Sequence, residues 1–220
     1  MGLKLRTRRF LDHVGADETL WGKMEKRAGK IGNSPKKDVI HLRAEGKNLT
    51  VKRRPDQLLV AYNQKQLESL HRKALESGAI TARRYELVPL RYRYVNRQLG
   101  AMETVEGVGF DTLTSFLDPR KPYGPMPAKE VTMSQEFLRA NPEITLESLS
   151  NMWAELRANL QDVSLGQKHF SLDWGYNNVI IRGFDRKTGR FVITLVDQLH
   201  PRAEQDVARR YNARRRAKKH

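Results

Sequence analysis

The hydrophobic pattern changes period along this 220-residue chain, and that change limits the architectures open to it. Before about residue 106 strand-like runs dominate. Val39–Arg43 and Asn48–Arg53 flank Glu45-Gly46 and read as a β-hairpin, and Tyr85–Val88, Arg91–Val95 and Gly100–Val105 read as further strands. A helix is expected over 17–28, with Asp17 as its cap and Gly29 as its stop. A second is expected over 57–76, where Leu58, Leu59, Tyr62, Leu67, Leu70 and Ala74 fall at near-helical spacing before Gly78. Gly107-Val-Gly109 and a proline-rich loop over 118–128 then break the pattern. Helices are expected at 134–140 and 145–161. The latter is capped by Thr145 and carries Leu146, Leu149, Met152, Trp153, Leu156 and Leu160 on one face. A late hairpin, Val179–Arg182 and Arg190–Val196, turns through Asp185-Arg-Lys-Thr-Gly189. Strands lying mostly early, long helices after them and a closing hairpin predict an α+β protein in two lobes.

Composition removes several function classes. The chain has no cysteine, which excludes disulfides, thiolate metal sites and thiol nucleophiles. No stretch is apolar enough to span a bilayer, and Met1 to Arg6 has no apolar segment of a secretory signal behind it, so a cytoplasmic setting is expected. The formal net charge of +16 is uneven: seven cations close the chain, and removing them still leaves +9 (16 − 7) on residues 1–208, so the body is basic too. Lys4, Arg6, Arg8 and Arg9 open the chain, and Arg209, Arg210, Arg214, Arg215, Arg216, Lys218 and Lys219 close it without an acid among them. Such charge attracts nucleic acid, anionic headgroups, nucleotides or an acidic partner, and serves equally as a solvated tail.

The stretch from His169 to Ile181 carries the most chemistry. Asp173 is followed five positions later by Asn178, then by an apolar strand and by a second strand ending in Asp197. This is a phosphoryl-transfer layout: one carboxylate orients the attacking group and takes its proton, while an amide oxygen and a second carboxylate hold Mg2+ against nucleotide phosphates. A bland reading stands beside it, with Asp173, Asn178 and Asp197 as turn and strand-end residues.

In this order, Asp173, Asn178 and Asp197 resemble the catalytic loop and metal-binding Asp of the protein-kinase-like superfamily. Val51-Lys52 at the end of the first hairpin resembles the strand lysine of that family, and Glu68 within the helix 57–76 resembles its helix glutamate. The resemblance implies a minimal two-lobed kinase-like fold with a truncated C-lobe. It implies one domain over 1–220, with an N-lobe over about 30–106, a C-lobe over about 107–199 and a basic tail over 200–220. It also implies ATP and Mg2+ as cofactors, Asp173 as the catalytic carboxylate, Asn178 and Asp197 as metal ligands, and Lys52 on the α- and β-phosphates, paired with Glu68. Backbone groups near Glu103 and Val105, in the segment from Ala101 to Gly107, would meet the adenine edge. Within the superfamily the chain looks most like the small bacterial kinase-like proteins of the PhoP regulatory network.

The departures are specific. Ser171, not histidine, stands two residues before Asp173, Asp197 is followed by Gln198-Leu199, and there is no Gly-x-Gly-x-x-Gly. Gly29-x-x-Gly32-Asn-Ser34 occupies the place of a phosphate loop without its full pattern. Few residues follow Asp197, which leaves the phosphoryl acceptor unknown and phosphorylation of proteins in doubt. Two alternatives therefore accompany the kinase reading: a catalytically inactive pseudokinase, and a non-enzymatic protein binding nucleic acid or another polyanion through Arg209 to Lys219. Outside the motif, Lys52 beside Arg53 and Arg54 could be a solvated strand end, and Glu68 a surface helix residue.

Overall fold

The computed structural model describes residues 3–28, 39–53, 57–90, 92–96, 99–118, 120, 128–165, 170–172, 178–196 and 199–201. They form two compact units: residues 1–65 with 90–105, and residues 66–89 with 106–220. The architecture is α+β.

In the first unit, helices α1 (Leu5–Ala16) and α2 (Glu18–Ala28) precede strands β1 (Val39–Ala44) and β2 (Lys47–Arg53). With β4 (Tyr92–Tyr94) and β5 (Leu99–Glu103), these make an antiparallel sheet in the order β1-β2-β5-β4. The β1–β2 turn works because Glu45 and Gly46 both take positive φ, 54° and 75°, matching the twist of the strands as a type I′ turn does. Alternation then sorts the faces. Ile40, Leu49, Val51, Leu99 and Ala101 point to one side and bury against Leu11, Val14 and Trp21 of the two helices. Gly15 lets α1 approach the sheet closely there, because a β-carbon at that position would meet the Leu99 side chain and force it to shift. Asp17 caps α2 as its position predicts, accepting the Thr19 and Leu20 N–H groups at 2.9 and 3.0 Å. The long helix α3 (Gln57–Glu76) follows β2.

In the second unit, strand β3 (Tyr85–Leu87) pairs in parallel with β9 (Arg190–Leu195), which pairs antiparallel with β8 (Val179–Asp185) and, through it, with β6 (Val108–Gly109). Helices α4 (Phe110–Leu117), α5 (Ala128–Ala140) and α6 (Leu146–Leu165) accompany this sheet. The α6 stripe, Leu149, Met152, Trp153, Leu156 and Leu160, is buried with Val179, Ile181, Phe191, Ile193 and Leu195 in one core, and Trp153 stacks on Phe110 at 5.1 Å. Thr145 Oγ1 accepts the Ser148 N–H at 3.1 Å while Ser148 Oγ accepts the Thr145 N–H at 2.9 Å, a reciprocal cap that fixes where α6 starts. Short strands β7 (Phe170–Leu172) and β10 (Leu199–Pro201) form a separate antiparallel pair.

Several sequence expectations are corrected. Among the described residues half of the strands, β6 to β10, lie beyond residue 106 rather than before it. Three of those have only two or three residues, too few to show a period. The helix expected over 134–140 starts at Ala128. The opening basic run lies on the ordered helix α1, and α4 follows directly after the glycines 107 and 109. The stop at Gly29, most of the proline loop and the closing basic run lie outside the described residues.

Candidate functional site

Of the residues singled out by the sequence, Lys52, Glu68, Glu103, Val105 and Asn178 are described, while Asp173, Asp197 and the Gly29–Ser34 segment lie outside the described residues. What can be built is the frame on which they hang.

Lys52 stands on β2 between core-facing Val51 and Arg53, so its side chain leaves the sheet on the face away from α1 and α2. On that face its cross-strand neighbour is Gly100, and Thr50 two residues earlier lies opposite Met102. Arg53, one residue on, has a structural task. Its guanidinium grips Glu18 with two hydrogen bonds of 2.8 and 2.9 Å and lies 4.6 Å over the Trp21 ring. The alternation thus separates a cation committed to packing from one that faces the other way.

Glu103 ends β5 with its carboxylate between two cations, Lys47 Nζ at 2.5 Å and Arg93 at 3.1 Å. Arg93 also reaches Glu45 at 3.4 Å. This ion cluster ties β2, β4, β5 and the hairpin turn together, and sequence inspection missed it because its members lie far apart along the chain and meet only through the fold. The backbone has a different role. The Thr104 N–H donates to the Asn48 carbonyl of β2 at 2.8 Å. By the alternation of an antiparallel ladder, the N–H and C=O of Glu103 therefore point away from β2.

Glu68 is on the buried side of α3, only 1% exposed, which removes the reading of it as a surface helix residue. One turn on, His71 is fully buried. Its Nε2 lies 2.9 Å from Tyr85 Oη, which also accepts a hydrogen bond from Asn159 Nδ2 at 3.0 Å, and its Nδ1 has no hydrogen-bond partner among the described residues. Burial lowers the His71 pKa to about 4 and raises that of Tyr85, so both are neutral at ordinary pH. The histidine's chemistry was not visible in the sequence; its place three residues after Glu68 was the one available signal.

Asn178 is buried at the start of β8, and its carbonyl accepts the Val196 N–H at 2.8 Å. The register that pairs Val179 with Leu195 thus sets Asn178 opposite Val196, the residue that precedes Asp197 in the chain. A second ladder sets Leu172, which precedes Asp173, opposite Leu199. Two independent strand pairings therefore bracket the whole motif. The β8–β9 turn that fixes the first register is held by Asp185, whose carboxylate accepts the Thr188 hydroxyl at 2.8 Å and the Lys187 N–H at 3.0 Å. Those bonds, the Thr188 hydroxyl first, hold its carboxyl below the usual carboxylate range. Among the described residues no group of three or more His, Asp and Glu side chains is placed to hold a metal ion, and no helix is long and apolar enough to cross a membrane.

No protein-family model matches this chain, and no curated protein does. Among solved structures the chain is similar to the gentamicin–APH(2")-IIa complex, at 13% identity over 91% of this chain and 72% of that one, with a TM-score of 0.28. A likeness at that level carries no argument about fold or site.

Proposed function

We propose that this chain is a kinase-like protein that binds ATP with Mg2+ and transfers a phosphoryl group to an acceptor still to be identified. One observation carries the reading: the two ladders that end at Asn178–Val196 and at Leu172–Leu199. They bring the flanks of an Asp-x4-Asn loop and of a strand-end Asp to the ends of two ladders, which supports a shared site of the kind phosphoryl transfer uses.

In this reading Asp173 orients the acceptor and takes its proton. Asn178 and Asp197 would hold Mg2+, and their amide and carboxylate oxygens are the hard donors that ion prefers. Lys52 neutralises the α- and β-phosphates, with Glu68 as its carboxylate partner. The backbone of Glu103 and Val105 reads the adenine edge. MgATP, when bound, supplies the phosphoryl group, and the contribution of the chain is position and charge. The likeness to the small PhoP-network kinase-like proteins belongs to this same proposal.

The test is titration calorimetry with ATP, with and without Mg2+, on the wild type and on Lys52→Met and Asp197→Ala. The proposal expects Mg2+-dependent binding that weakens at least about tenfold in each variant. A wild type that binds no nucleotide at millimolar concentration sinks it. Turnover in the wild type that disappears in Asp173→Ala separates an active kinase from a pseudokinase.

A further inference from the structure

The outward face of α1 combines exposed cations with exposed apolar side chains. Leu11, Val14 and Gly15 turn inward to the core of the first unit. On the opposite side Arg6, Arg9 and His13 follow one another at i, i+3 and i+7 and are all exposed. Leu5 and Phe10 flank this stripe at 63% and 47% exposure, two of the four large apolar side chains exposed among the described residues.

The acids near the stripe are already engaged. Asp12 accepts the Asn96 side-chain amide at 2.6 Å. Glu45 accepts the Lys4 backbone N–H at 2.8 Å and lies beside Arg93, and the Lys4 and Thr7 hydrogen bonds, in that order, lower its pKa. Glu18 is bound to Arg53. Among the described residues none of these carboxylates forms an ion pair with Arg6 or Arg9, so the stripe presents cations to solvent, and beside it lies apolar surface that water does not favour.

We propose that the outer face of α1 docks on an anionic lipid surface, with Arg6 and Arg9 at the headgroups and Leu5 and Phe10 entering the interface. Cations alone would suit any polyanion. The two flanking apolar side chains decide for lipid: the acyl boundary rewards an aliphatic side chain such as Leu5, whereas a phosphate backbone does not and nucleobases would reward Phe10 alone. Each signal is weak by itself, and membrane binding is characteristically built from two such signals. Arg8 takes no part, because its Nε is committed to the Val95 carbonyl at 2.8 Å.

The experiment is co-sedimentation of the full-length chain with phosphatidylcholine vesicles, with and without phosphatidylserine. The closing basic run adds attraction of its own, so the readout is the difference between variants. Arg6→Glu with Arg9→Glu is expected to weaken binding to anionic vesicles by about 25-fold or more, at about 5-fold per basic residue. Lys129→Glu with Lys187→Glu, an equal charge change on α5 and the β8–β9 turn, should weaken it by less than about 5-fold. Leu5→Ser with Phe10→Ser leaves the charge unchanged and should still lose severalfold. Circular dichroism and melting temperature confirm that the variants are folded, as surface substitutions allow. The proposal is overturned if the wild type does not sediment with anionic vesicles. It fails equally if both charge reversals act alike, or if the serine pair binds as the wild type does. Single-stranded RNA, followed by fluorescence anisotropy, is the other arm: RNA binding that depends on Arg6 and Arg9, with vesicle binding that does not, assigns the face to nucleic acid and refutes the lipid.

Discussion

Acid should destabilise this protein through His71 in a defined window. The imidazole is fully buried between α3 and β3, with Nε2 facing Tyr85 Oη and Nδ1 without a partner among the described residues. Protonation would give both ring nitrogens an N–H, while Tyr85 can meet only one and already accepts from Asn159. The charge would also sit in a desolvated site. The native pKa is accordingly lowered from 6.5 to about 4. Between those values the unfolded chain binds the proton and the native protein does not, so the unfolded state gains as pH falls. The loss begins near pH 6.5, grows to about 3 kcal/mol by pH 4, and is constant below that. Urea unfolding followed by circular dichroism, from pH 7.5 down to about 3.5, measures it in the wild type and in His71→Gln, which keeps a polar group toward Tyr85 but cannot titrate. Contributions from carboxylates are common to both proteins and cancel in the difference. The variant should lack the His71 part of the slope, so that the two stability curves converge by about 3 kcal/mol between pH 6.5 and 4. Curves that stay parallel across that window would refute the argument, whatever the absolute stabilities.

Three further outcomes follow from the packing. Thr145→Ala removes one half of the reciprocal cap on α6 and should cost about 1 kcal/mol in urea unfolding, with Thr145→Ser largely restoring it. Leu156→Ala opens a cavity at the centre of the α6 stripe and should cost about 2–5 kcal/mol, whereas Leu156→Met should cost less than about 1.5 kcal/mol. Gly107→Ala places a β-carbon against the Ile181 carbonyl at a φ of 142°, where a side chain is strained in any case; a melting temperature lowered by several degrees is expected, and an unchanged one would show that the β6–β8 approach is looser than described.

The parts of this fold that the sequence announces are those whose causes are local. The turns at Glu45-Gly46 and Asp185–Gly189 need positive φ or an Asp that folds back on its own backbone, and both demands are met by adjacent residues. Helices α3 and α6 carry their own stripes and, for α6, its cap. By contrast, β7 and β10 exist because Phe170–Leu172 meets Leu199–Pro201 almost thirty positions away, and three residues hold no period from which to infer a partner. The candidate site divides the same way. Asn178 and the two aspartates were legible as an order along the chain, but the pairing of Asn178 with Val196 is a fact of register.

Charge is where sequence inspection misleads most, because a count cannot tell a spent cation from a free surface. Arg8 donates to the Val95 carbonyl, Arg53 is held by Glu18 over Trp21, and Arg93 joins Glu45 to Glu103. These three stabilise the first unit and are poorly placed to recruit anything from solution. Arg6 and Arg9 sit within the same basic run as Arg8, yet helical geometry turns them outward beside Leu5 and Phe10. Within the opening basic run, Arg8 thus holds the fold while Arg6 and Arg9 face solvent on the outer side of the helix. The same division should govern the effects of substitution: Arg8→Ala should lower stability by about 1 kcal/mol and leave vesicle binding per folded molecule unchanged, while Arg6→Ala should do the reverse. If Arg8→Ala proved as damaging to vesicle binding as Arg6→Ala at equal stability, the division would be wrong, and net charge alone would be the operative quantity.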